Sequence, residues 1–286
     1  MVSFDVPEVD YTRYSNRQLV AFPLAVLGLA VLVILVKFLL TGSPVALGIA
    51  FTGGTELQLQ TTDSPAQIEQ AFDEDIESIQ PIQSQANTYI VTFQSEDTTA
   101  IQNQAEAVGY DINSIQGRSA SFGGDSQRQA LFGVAVAFVG MSALVFLLFR
   151  TFVPSIAVVA SAFSDIVIPV ALMNVFGIEL SLGAVAALLM LIGYSVDSDL
   201  LLNNHVLRRR GGFYESTYRA MRTGVTMTLT SLAAMAVMAV TASLFGIPLL
   251  PEVGIILVFG LTADLMNTYM LNVSLLRYYK YEGVAK

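Results

Sequence analysis

Long apolar segments constrain this sequence more than any other feature. Runs of roughly 20 apolar residues, the length that a helix needs to cross about 30 Å of hydrocarbon, occur six times. They lie at about 20–40, 130–149, 154–176, 182–203, 225–245 and 252–275. The 286 residues are 54% hydrophobic and only 13% charged, which is outside the range of a soluble domain. We therefore predict an α-helical membrane protein with six transmembrane helices.

The start of the chain indicates a membrane anchor. Residues 1–19 are rich in polar and charged side chains, and no small-residue cleavage site follows the apolar core of the first run. This pattern favours a retained helix over a signal peptide. The chain has no cysteine, so disulfides, thiolate metal sites and a cysteine nucleophile are excluded. We expect neither a metal nor a cofactor.

A polar segment, residues 43–125, separates the first two apolar runs and is long enough to form a domain. It carries 12 acidic residues and a single base, Arg118, for a net charge of −11. Dense carboxylates are tolerated where salt screens their repulsion, so solubility in a salty exterior explains this charge. A contact surface for an emerging substrate would explain it as well, and the sequence leaves both open.

The order of predicted elements in this segment is βαββαβ. Strands are predicted at 55–60, 76–82, 88–93 and 110–117, with helices at 64–72 and 98–108. The first helix has Ser64 as its cap, Pro65 at its first position and Gln67 three residues after the cap. Gly109 ends the second helix. We therefore predict an α+β ferredoxin-like domain between spans one and two.

The positions of the basic residues predict the orientation. Bases lie between spans four and five, between spans two and three, and in the tail: Arg208, Arg209, Arg210, Arg219, Arg222, Arg150, Arg277, Lys280 and Lys286. Because basic loops stay on the cytoplasmic side, we expect a cell-membrane protein with both termini inside. Its parts are a cytoplasmic segment (1–19), a first span (20–40), an external acidic domain (43–125), a five-helix bundle (130–275) and a cytoplasmic tail (276–286).

Three of the apolar runs contain aspartates. Asp165 and Asp264 lie near the middle of spans three and six, while Asp197 and Asp199 lie in the inner part of span four. An ionised aspartate in a span costs about 2.5–3.5 kcal/mol, so such residues usually face a bundle interior or a hydrated path. Asparagines accompany them on the same helices, at 174, 203, 204, 267 and 272. We predict ion or proton coupling, with helix-to-helix hydrogen bonding as the structural alternative.

Two other polar residues in these regions allow simpler explanations. Arg222 begins the hydroxyl-rich fifth span, where it is either a partner for an intramembrane acid or an ordinary cytoplasmic base. His205, the only histidine, follows span four beside three arginines, and we expect it at the surface.

Three stretches of the sequence carry a resemblance to a known family. "GIAFTGGTELQL" (48–59) is similar to a glycine-rich signature that follows the first span, "LIGYSVDSD" (191–199) to a fourth-span signature, and "AMRTGVTMTLTSL" (220–232) to a fifth-span signature. The matching positions include Gly48, Phe51, Gly53, Gly54, Thr55, Gly193, Tyr194 and Ser195. Asp165 falls where the family has an acid on span three. Over its full length, the chain resembles the SecF branch of the SecD/SecF family, within the resistance-nodulation-division superfamily.

The resemblance implies one half of a twelve-span bundle. Its partners would be SecD, a SecY-type translocon, the translocating polypeptide and membrane lipid, with no nucleic acid. The pair would assist export by using the proton (or sodium) motive force. The family's coupling arginine matches Arg222, but its usual acid position is Ser198, which Asp197 and Asp199 flank. We rank Asp197 above Asp199, and Asp264, which lies outside the family pattern, is a candidate to compensate.

Other functional classes remain as alternatives. A lipid or small-molecule exporter of the same superfamily would keep the acids, and a structural assembly factor of the translocon would need no proton cycle. An intramembrane aspartyl protease requires a sequence context that Asp197 and Asp264 lack, so we do not expect an enzyme. The acidic composition, with a pI near 4.5, indicates a salt-loving archaeal source.

Overall fold

The computed structural model describes residues 6–82, 85–208, 212–247 and 249–281, with the backbone alone at 121, 122 and 208. Arg209 and Arg210 of the predicted basic loop, Pro248 in a predicted external turn, and the last five residues of the tail lie outside the described residues.

Within the described ranges, six helices are long and apolar enough to span a membrane, which confirms the prediction from the apolar runs. They are α1 (Asn16–Thr41), α5 (Ala120–Phe149), α6 (Phe152–Phe176), α7 (Leu182–Arg208), α8 (Phe213–Phe245), and a sixth that runs from α9 (Leu250–Met266) through a π-helical segment (Asn267–Asn272) into α10 (Val273–Tyr281).

Several helices extend beyond the apolar runs that predicted them. α8 begins at Phe213, well before the predicted start near residue 225. Its first turns are polar in composition, but Phe213 and Ala220 are buried against Leu202 of α7 and Leu276 of α10. A hydropathy average detects only the apolar part of such a helix, because the polar residues of its first turns lower the mean.

The six helices divide into interior and peripheral ones. The apolar windows of α6, α7 and the sixth helix are 56%, 50% and 56% buried, whereas those of α1, α5 and α8 are 17%, 6% and 17% buried. α9 is central, since it packs against α6, α7 and α8. Small residues permit this close packing: a Cβ at Gly254 of α9 would lie only 2.8 Å from the Ala239 Cβ of α8. The interior helices are also the three that carry Asp165, Asp199 and Asp264.

The segment between spans one and two forms the predicted α+β domain. Its elements are β1 (Gly54–Gln60), α3 (Pro65–Ala71), β2 (Ile76–Pro81), β3 (Thr88–Phe93), α4 (Thr98–Val108) and β4 (Asp111–Arg118). The four strands form an antiparallel sheet in the order β2-β3-β1-β4. This is the ferredoxin-like arrangement that the βαββαβ pattern predicted.

Local sequence signals fix the ends of the two domain helices. The Gln67 side chain accepts a hydrogen bond from the backbone N–H of Ser64 at 2.9 Å, as a capping box requires. Gly109 ends α4 in a left-handed conformation, with φ at 88°. The Tyr110 hydroxyl donates a 2.9 Å hydrogen bond to Asp63, across from the start of α3.

A short helix, α2 (Ile49–Thr52), joins the first span to the sheet and fixes the domain to the bundle. Its Phe51 is 3% exposed and packs into the core formed by α6, α7 and α9. Before it, the backbone N–H of Gly48 donates to the Leu180 carbonyl at 3.0 Å, in the turn between α6 and α7. On the other side of the domain, Ile82 packs against Gly246 at the end of α8. The domain therefore contacts the bundle through both Phe51 and Ile82.

Candidate ion-coupling site

Three aspartates from the three interior helices lie in one buried polar cluster. Asp165 of α6 and Asp199 of α7 are 0% exposed, and Asp264 of α9 is 1% exposed. No salt bridge joins them to a basic side chain within the described ranges, where the ion pairs are Arg13 with Asp10 and Arg219 with Glu215 at the surface. A buried carboxylate without a cation is costly unless it is hydrogen-bonded or protonated.

Asp165 is bound mainly by neutral donors. Its Oδ2 accepts a 2.6 Å hydrogen bond from the Ser195 hydroxyl of α7, with Ser161 at 3.5 Å. Its Oδ1 accepts a 2.6 Å hydrogen bond from the Asn267 amide in the π-helical segment. Asp165 thereby connects α6, α7 and the sixth helix.

Asp199 has donors on one carboxylate oxygen only. The Thr268 hydroxyl and the Asn272 amide each lie 2.8 Å from its Oδ1. Its Oδ2 is buried and has no hydrogen-bond partner among the described residues. The site is therefore incompletely satisfied by the protein itself.

Asp264 shares one hydrogen-bond donor, Thr268, with Asp199. The Asp264 Oδ1 lies 2.7 Å from the Ser198 hydroxyl and 3.2 Å from the Thr268 hydroxyl, and these two hydroxyls are 3.2 Å apart. Ser198 also contacts the Ser195 carbonyl at 2.9 Å. Each hydroxyl has one proton to donate, so two protons serve five contacts. If the Asp264 carboxyl carried a proton, it would supply a third donor to this group of oxygen acceptors.

The π-helical segment Asn267–Asn272 positions most of these donors. In a π-helix the backbone hydrogen bonds run from residue i to i+5, and this widened turn shifts the side chains that follow it. Asn267, Thr268 and Asn272 all point into the bundle and are 0% exposed. Such interruptions of an α-helix are frequent at functional sites.

A cavity of about 540 Å³ opens beside the cluster. It lies between the end of α5 and helices α7, α8 and α9, and its polar lining includes Asp197, Ser198, Asn204, Thr228 and Asp264. Asp264 is the buried aspartate that lines this cavity. The hydrogen-bonded path from Asp264 through Ser198 and Thr268 therefore connects the cavity to Asp199.

The two acids of span four lie in different environments. Asp197, which the resemblance favoured, is exposed in the cavity and lies outside the hydrogen-bonded cluster. Asp199 is the fully buried one. The two residues differ because α7 turns by about 100° per residue, so positions two apart face opposite sides of the helix. The ranking of Asp197 above Asp199 as the coupling acid stays a prediction, and the structure adds that only Asp199 belongs to the buried cluster.

Two further side chains differ from expectation or stay apart from the cluster. Arg222 is exposed on α8 and makes no ion pair with an aspartate in the described part of the chain. His205 was expected at the surface, but it is 6% exposed and its Nδ1 lies 2.8 Å from the Leu201 carbonyl. The prediction for His205 is wrong because its position on α7 faces the bundle rather than the basic loop.

The family-signature residues lie in two parts of the structure, the junction before the sheet and the fourth span. Gly48, Phe51, Gly53, Gly54 and Thr55 form the junction between the first span and the sheet, where Gly53 and Gly54 have φ of 83° and 137°. In the fourth span, Gly193 and Tyr194 face outward, while Ser195 binds Asp165.

Sequence analysis missed the roles of Ser198 and Thr268. Thr268 is a common residue in an ordinary context, and Ser198 stood out only because it occupies the family's usual acid position. The available signal was spacing: Thr268 lies four residues after Asp264, which places both on one face of the sixth helix. Among the described residues, no group of three or more His, Asp or Glu is arranged to hold a metal ion.

The fold and the cluster together define an integral membrane protein with six spans, an inserted α+β domain and a buried carboxylate centre. Residues 98–282 match the family described as protein export membrane protein SecD/SecF, C-terminal. The chain belongs to the SecD/SecF family of protein-export membrane proteins, which confirms the resemblance.

Full-length relatives narrow this assignment to the SecF type. The chain is 67% identical to the protein-export membrane protein SecF of Haloferax volcanii, and the match covers 100% of both chains. It is 43% identical to SecF of Methanolacinia petrolearia, over 96% of this chain and 97% of the relative. It is 37% identical to SecF of Pyrococcus furiosus, over 97% of this chain and 99% of the relative. The haloarchaeal relative agrees with the source inferred from composition.

A solved structure shares the fold. The crystal structure of SecDF, a translocon-associated membrane protein from Thermus thermophilus, matches with a TM-score of 0.73 at 18% identity. The match covers 98% of this chain and 40% of that longer chain. This protein therefore corresponds in fold to less than half of the SecDF polypeptide.

Proposed function

We propose that this protein pairs with a SecD-type partner, and that the pair uses the proton motive force to assist movement of exported polypeptides through a SecY-type translocon. The observation that carries the coupling role is the cluster of Asp165, Asp199 and Asp264, which is buried and has no basic partner among the residues that the structure describes. The membership of this chain in the SecD/SecF family supports the export role.

The hydrogen-bond count in the cluster supports proton binding. Two hydroxyl protons, from Ser198 and Thr268, serve five close contacts around Asp199 and Asp264. A bound proton relieves both this shortage of donors and the repulsion between carboxylates. A change in proton occupancy therefore alters which hydrogen bonds hold α7 against the sixth helix.

The cavity beside Asp264 supports access for that proton from one side. Moving one charge through the full membrane potential supplies about 2.3 kcal/mol per 100 mV. This energy shifts a two-state equilibrium by a factor of tens. We propose proton transfer for the aspartates and no enzymatic reaction.

Charge distribution supports the orientation of the chain. The loop between α7 and α8 and the last helix carry bases, which favours the cytoplasmic side for both termini. The acidic α+β domain would then face outward, where it meets the emerging polypeptide. Because Phe51 and Ile82 fix the domain to the bundle, a rearrangement of the interior helices would move it.

The proposal is tested by export of a signal-bearing reporter in cells whose only copy carries Asp199→Asn, with Asp197→Asn as the matched change on the exposed side of α7. We expect the Asp199 variant to assemble with its partner and to lose most export, and the Asp197 variant to lose less. Normal export by an assembled Asp199→Asn, Asp264→Asn double variant would overturn proton coupling and favour the structural assembly role. Copurification of a second six-span protein separates both roles from an exporter that works alone.

A further inference from the structure

The segment before the first span lies against the end of the sixth helix. Residues 6–15, which we call the N-terminal strap, include a short 3₁₀-helix, Tyr11–Arg13. Tyr11 is 5% exposed and packs in the same core as Leu202 of α7 and Val273 of α10. The strap is therefore part of the core of the bundle, although it precedes the first span.

The Tyr11 hydroxyl binds the backbone of the π-helical segment. It donates a 3.0 Å hydrogen bond to the carbonyl of Tyr269, and this contact is buried. The other neighbour of the hydroxyl, the Met221 sulfur at 3.8 Å, is a weak acceptor. Because a phenol has one proton to donate, the Tyr269 carbonyl is its main partner.

The Tyr269 carbonyl has lost its α-helical donor. In an α-helix it would accept from the backbone N–H four residues later, which belongs to Val273. In this structure the Val273 N–H donates to the carbonyls of Thr268 and Met270 instead. The bond to Thr268 runs from residue i to i+5, as in a π-helix. The Tyr11 hydroxyl therefore occupies the place that the Val273 N–H has left.

A second set of contacts joins the strap to the helix beyond the π-helical segment. Arg277 of α10 donates to the carbonyls of Tyr11 and Tyr14, each at 2.9 Å. Its Nε also donates to the side chain of Asn16, at the start of α1. Tyr269 lies within the π-helical segment and Arg277 lies beyond its end. The strap is thus bound on both sides of the point where the π-helical segment passes into α10.

These two attachments depend on the π-helical form of the sixth helix. A π-helical bond encloses one residue more than an α-helical bond. A return to the α-helix would therefore rotate the residues after the segment by up to about 100° relative to those before it. Thr268 and Asn272, which both lie 2.8 Å from the Asp199 Oδ1, would then not both keep that contact.

We propose that the N-terminal strap is a brace that selects the π-helical form of the sixth helix, with Tyr11 as the positioning residue. By binding the Tyr269 carbonyl, Tyr11 stabilises the form in which Thr268 and Asn272 donate to Asp199. Release of the strap favours the α-helical form and removes these donors. The consequence for export rests on the proposed function. The effect on the helix does not, because it is a property of this chain alone.

The test measures a distance along the sixth helix in the purified full chain. The chain has no native cysteine, so spin labels can be attached to Thr262→Cys on α9 and Tyr278→Cys on α10, which are both exposed positions. A continuous α-helix between them would span about 24 Å along its axis, and the π-helical turn changes both this length and the relative direction of the labels. Double electron–electron resonance measures the distribution of such distances.

We expect the variant Tyr11→Phe, which removes only the hydroxyl, to move part of the population to the α-helical distance. The loss of one hydrogen bond should shift the ratio of the two forms by up to about tenfold. Arg277→Leu removes the other attachment and should shift the ratio in the same direction. The matched control is Tyr14→Phe: Tyr14 is 49% exposed in the same strap, and its carbonyl rather than its hydroxyl binds Arg277. It should leave the distances unchanged.

A purely structural role for the Tyr11 hydroxyl gives a different result. If the hydroxyl only satisfies a carbonyl, Tyr11→Phe should lower the melting temperature and leave the label distances as in the wild type. That outcome would overturn the proposal, and so would equal shifts in Tyr11→Phe and Tyr14→Phe.

Export of the signal-bearing reporter keeps this proposal apart from the proposed function. We expect Tyr11→Phe to reduce export, and by less than Asp199→Asn does. Shifted distances with normal export by Tyr11→Phe would support the brace and overturn its part in coupling. Shifted distances together with normal export by Asp199→Asn would overturn the proposed function and leave the brace. Unchanged distances together with loss of export in Asp199→Asn would overturn the brace alone.

Discussion

The hydroxyl of Thr268 lies 2.8 Å from the Oδ1 of Asp199, and this contact joins the sixth helix to α7 at the centre of the bundle. Thr268 is 0% exposed and stands in the π-helical segment, so its orientation depends on that widened turn. The same hydroxyl is 3.2 Å from Asp264, one turn earlier on its own helix. One side chain thus links two acids.

Replacing Thr268 by valine should destabilise the bundle. Valine has nearly the same shape but no hydroxyl, so Asp199 and Asp264 each lose a partner. Because hydrogen bonds to charged groups contribute about 1.5–3 kcal/mol, we expect the free energy of unfolding in detergent to fall by about that amount. The matched control is Thr262→Val on the same helix, whose hydroxyl binds only the Val258 carbonyl at an exposed position. Equal losses for both variants would contradict a special role for Thr268.

The close approach of α8 to the sixth helix gives a second prediction. A Cβ at Gly224 would overlap with the Tyr269 hydroxyl, so Gly224→Ala should cost about 1–3 kcal/mol through overpacking. Adding Tyr269→Phe removes the overlapping atom and should restore part of the loss in a double-mutant cycle. Gly140→Ala, where nothing lies within 4 Å of the added Cβ, should be neutral or stabilising because alanine favours the helix. Additive losses in the cycle would show that the two residues do not meet.

A third prediction concerns the start of the sheet. Gly54 has φ at 137°, and a Cβ there would overlap with the Phe93 carbonyl oxygen on β3. Gly54→Ala therefore combines backbone strain of about 1–3 kcal/mol with a disrupted β1–β3 ladder. Gly109→Ala, with φ at 88° and open space around the Cβ, carries the strain alone. We expect the larger loss of thermal stability at Gly54, and an equal loss at both positions would contradict the steric argument.

The parts of the fold that the sequence predicted correctly are those whose signals act over a few neighbouring residues. The sheet domain was predicted from alternation, capping and a terminal glycine, all of which act within a few residues; Ser64 with Gln67 and Gly109 behave as their types require. The six spans followed from segment hydropathy for the same reason.

The centre of the bundle was less predictable because its geometry depends on the sixth helix. The π-helical turn has no sequence signature, yet it decides that Thr268 and Asn272 reach Asp199. Asp197 and Asp199 are two residues apart in an equally apolar stretch, so the sequence cannot rank them without the direction of the helix face. The resemblance favoured Asp197, and packing of α7 against α9 buries Asp199 instead.

Acidic side chains at the junction between domain and bundle give the last prediction. Burial, followed by the neighbouring charges of Glu77 and Glu252, raises the pKa of Glu179 above its usual value near 4.5. Burial also raises the pKa of Glu56 on β1, an effect that Arg118 opposes. Since these groups come from both sides of the junction, ionisation places like charges across it.

The raised pKa of Glu179 determines whether docking of the domain strengthens or weakens as pH rises. Below pH 4.5, Glu179 is protonated whether or not the domain is docked, and docking is strongest. As pH rises above 4.5, the exposed form ionises first, so docking weakens until Glu179 also ionises in the docked form. Glu179→Gln should remove this part of the pH dependence. High salt should weaken the effect of the neighbouring charges and leave the effect of burial.

Docking can be followed through Ile82, which is 5% exposed where it meets Gly246. The chain has no native cysteine, so a single Ile82→Cys reports its own accessibility to a thiol reagent. Its rate is normalised to Val108→Cys, at an exposed position, because the reactivity of every thiol rises with pH. We expect the normalised rate to increase between about pH 4.5 and 7, and to change less in the Glu179→Gln background. A flat profile, or the same slope in both backgrounds, would show that Glu179 does not control docking.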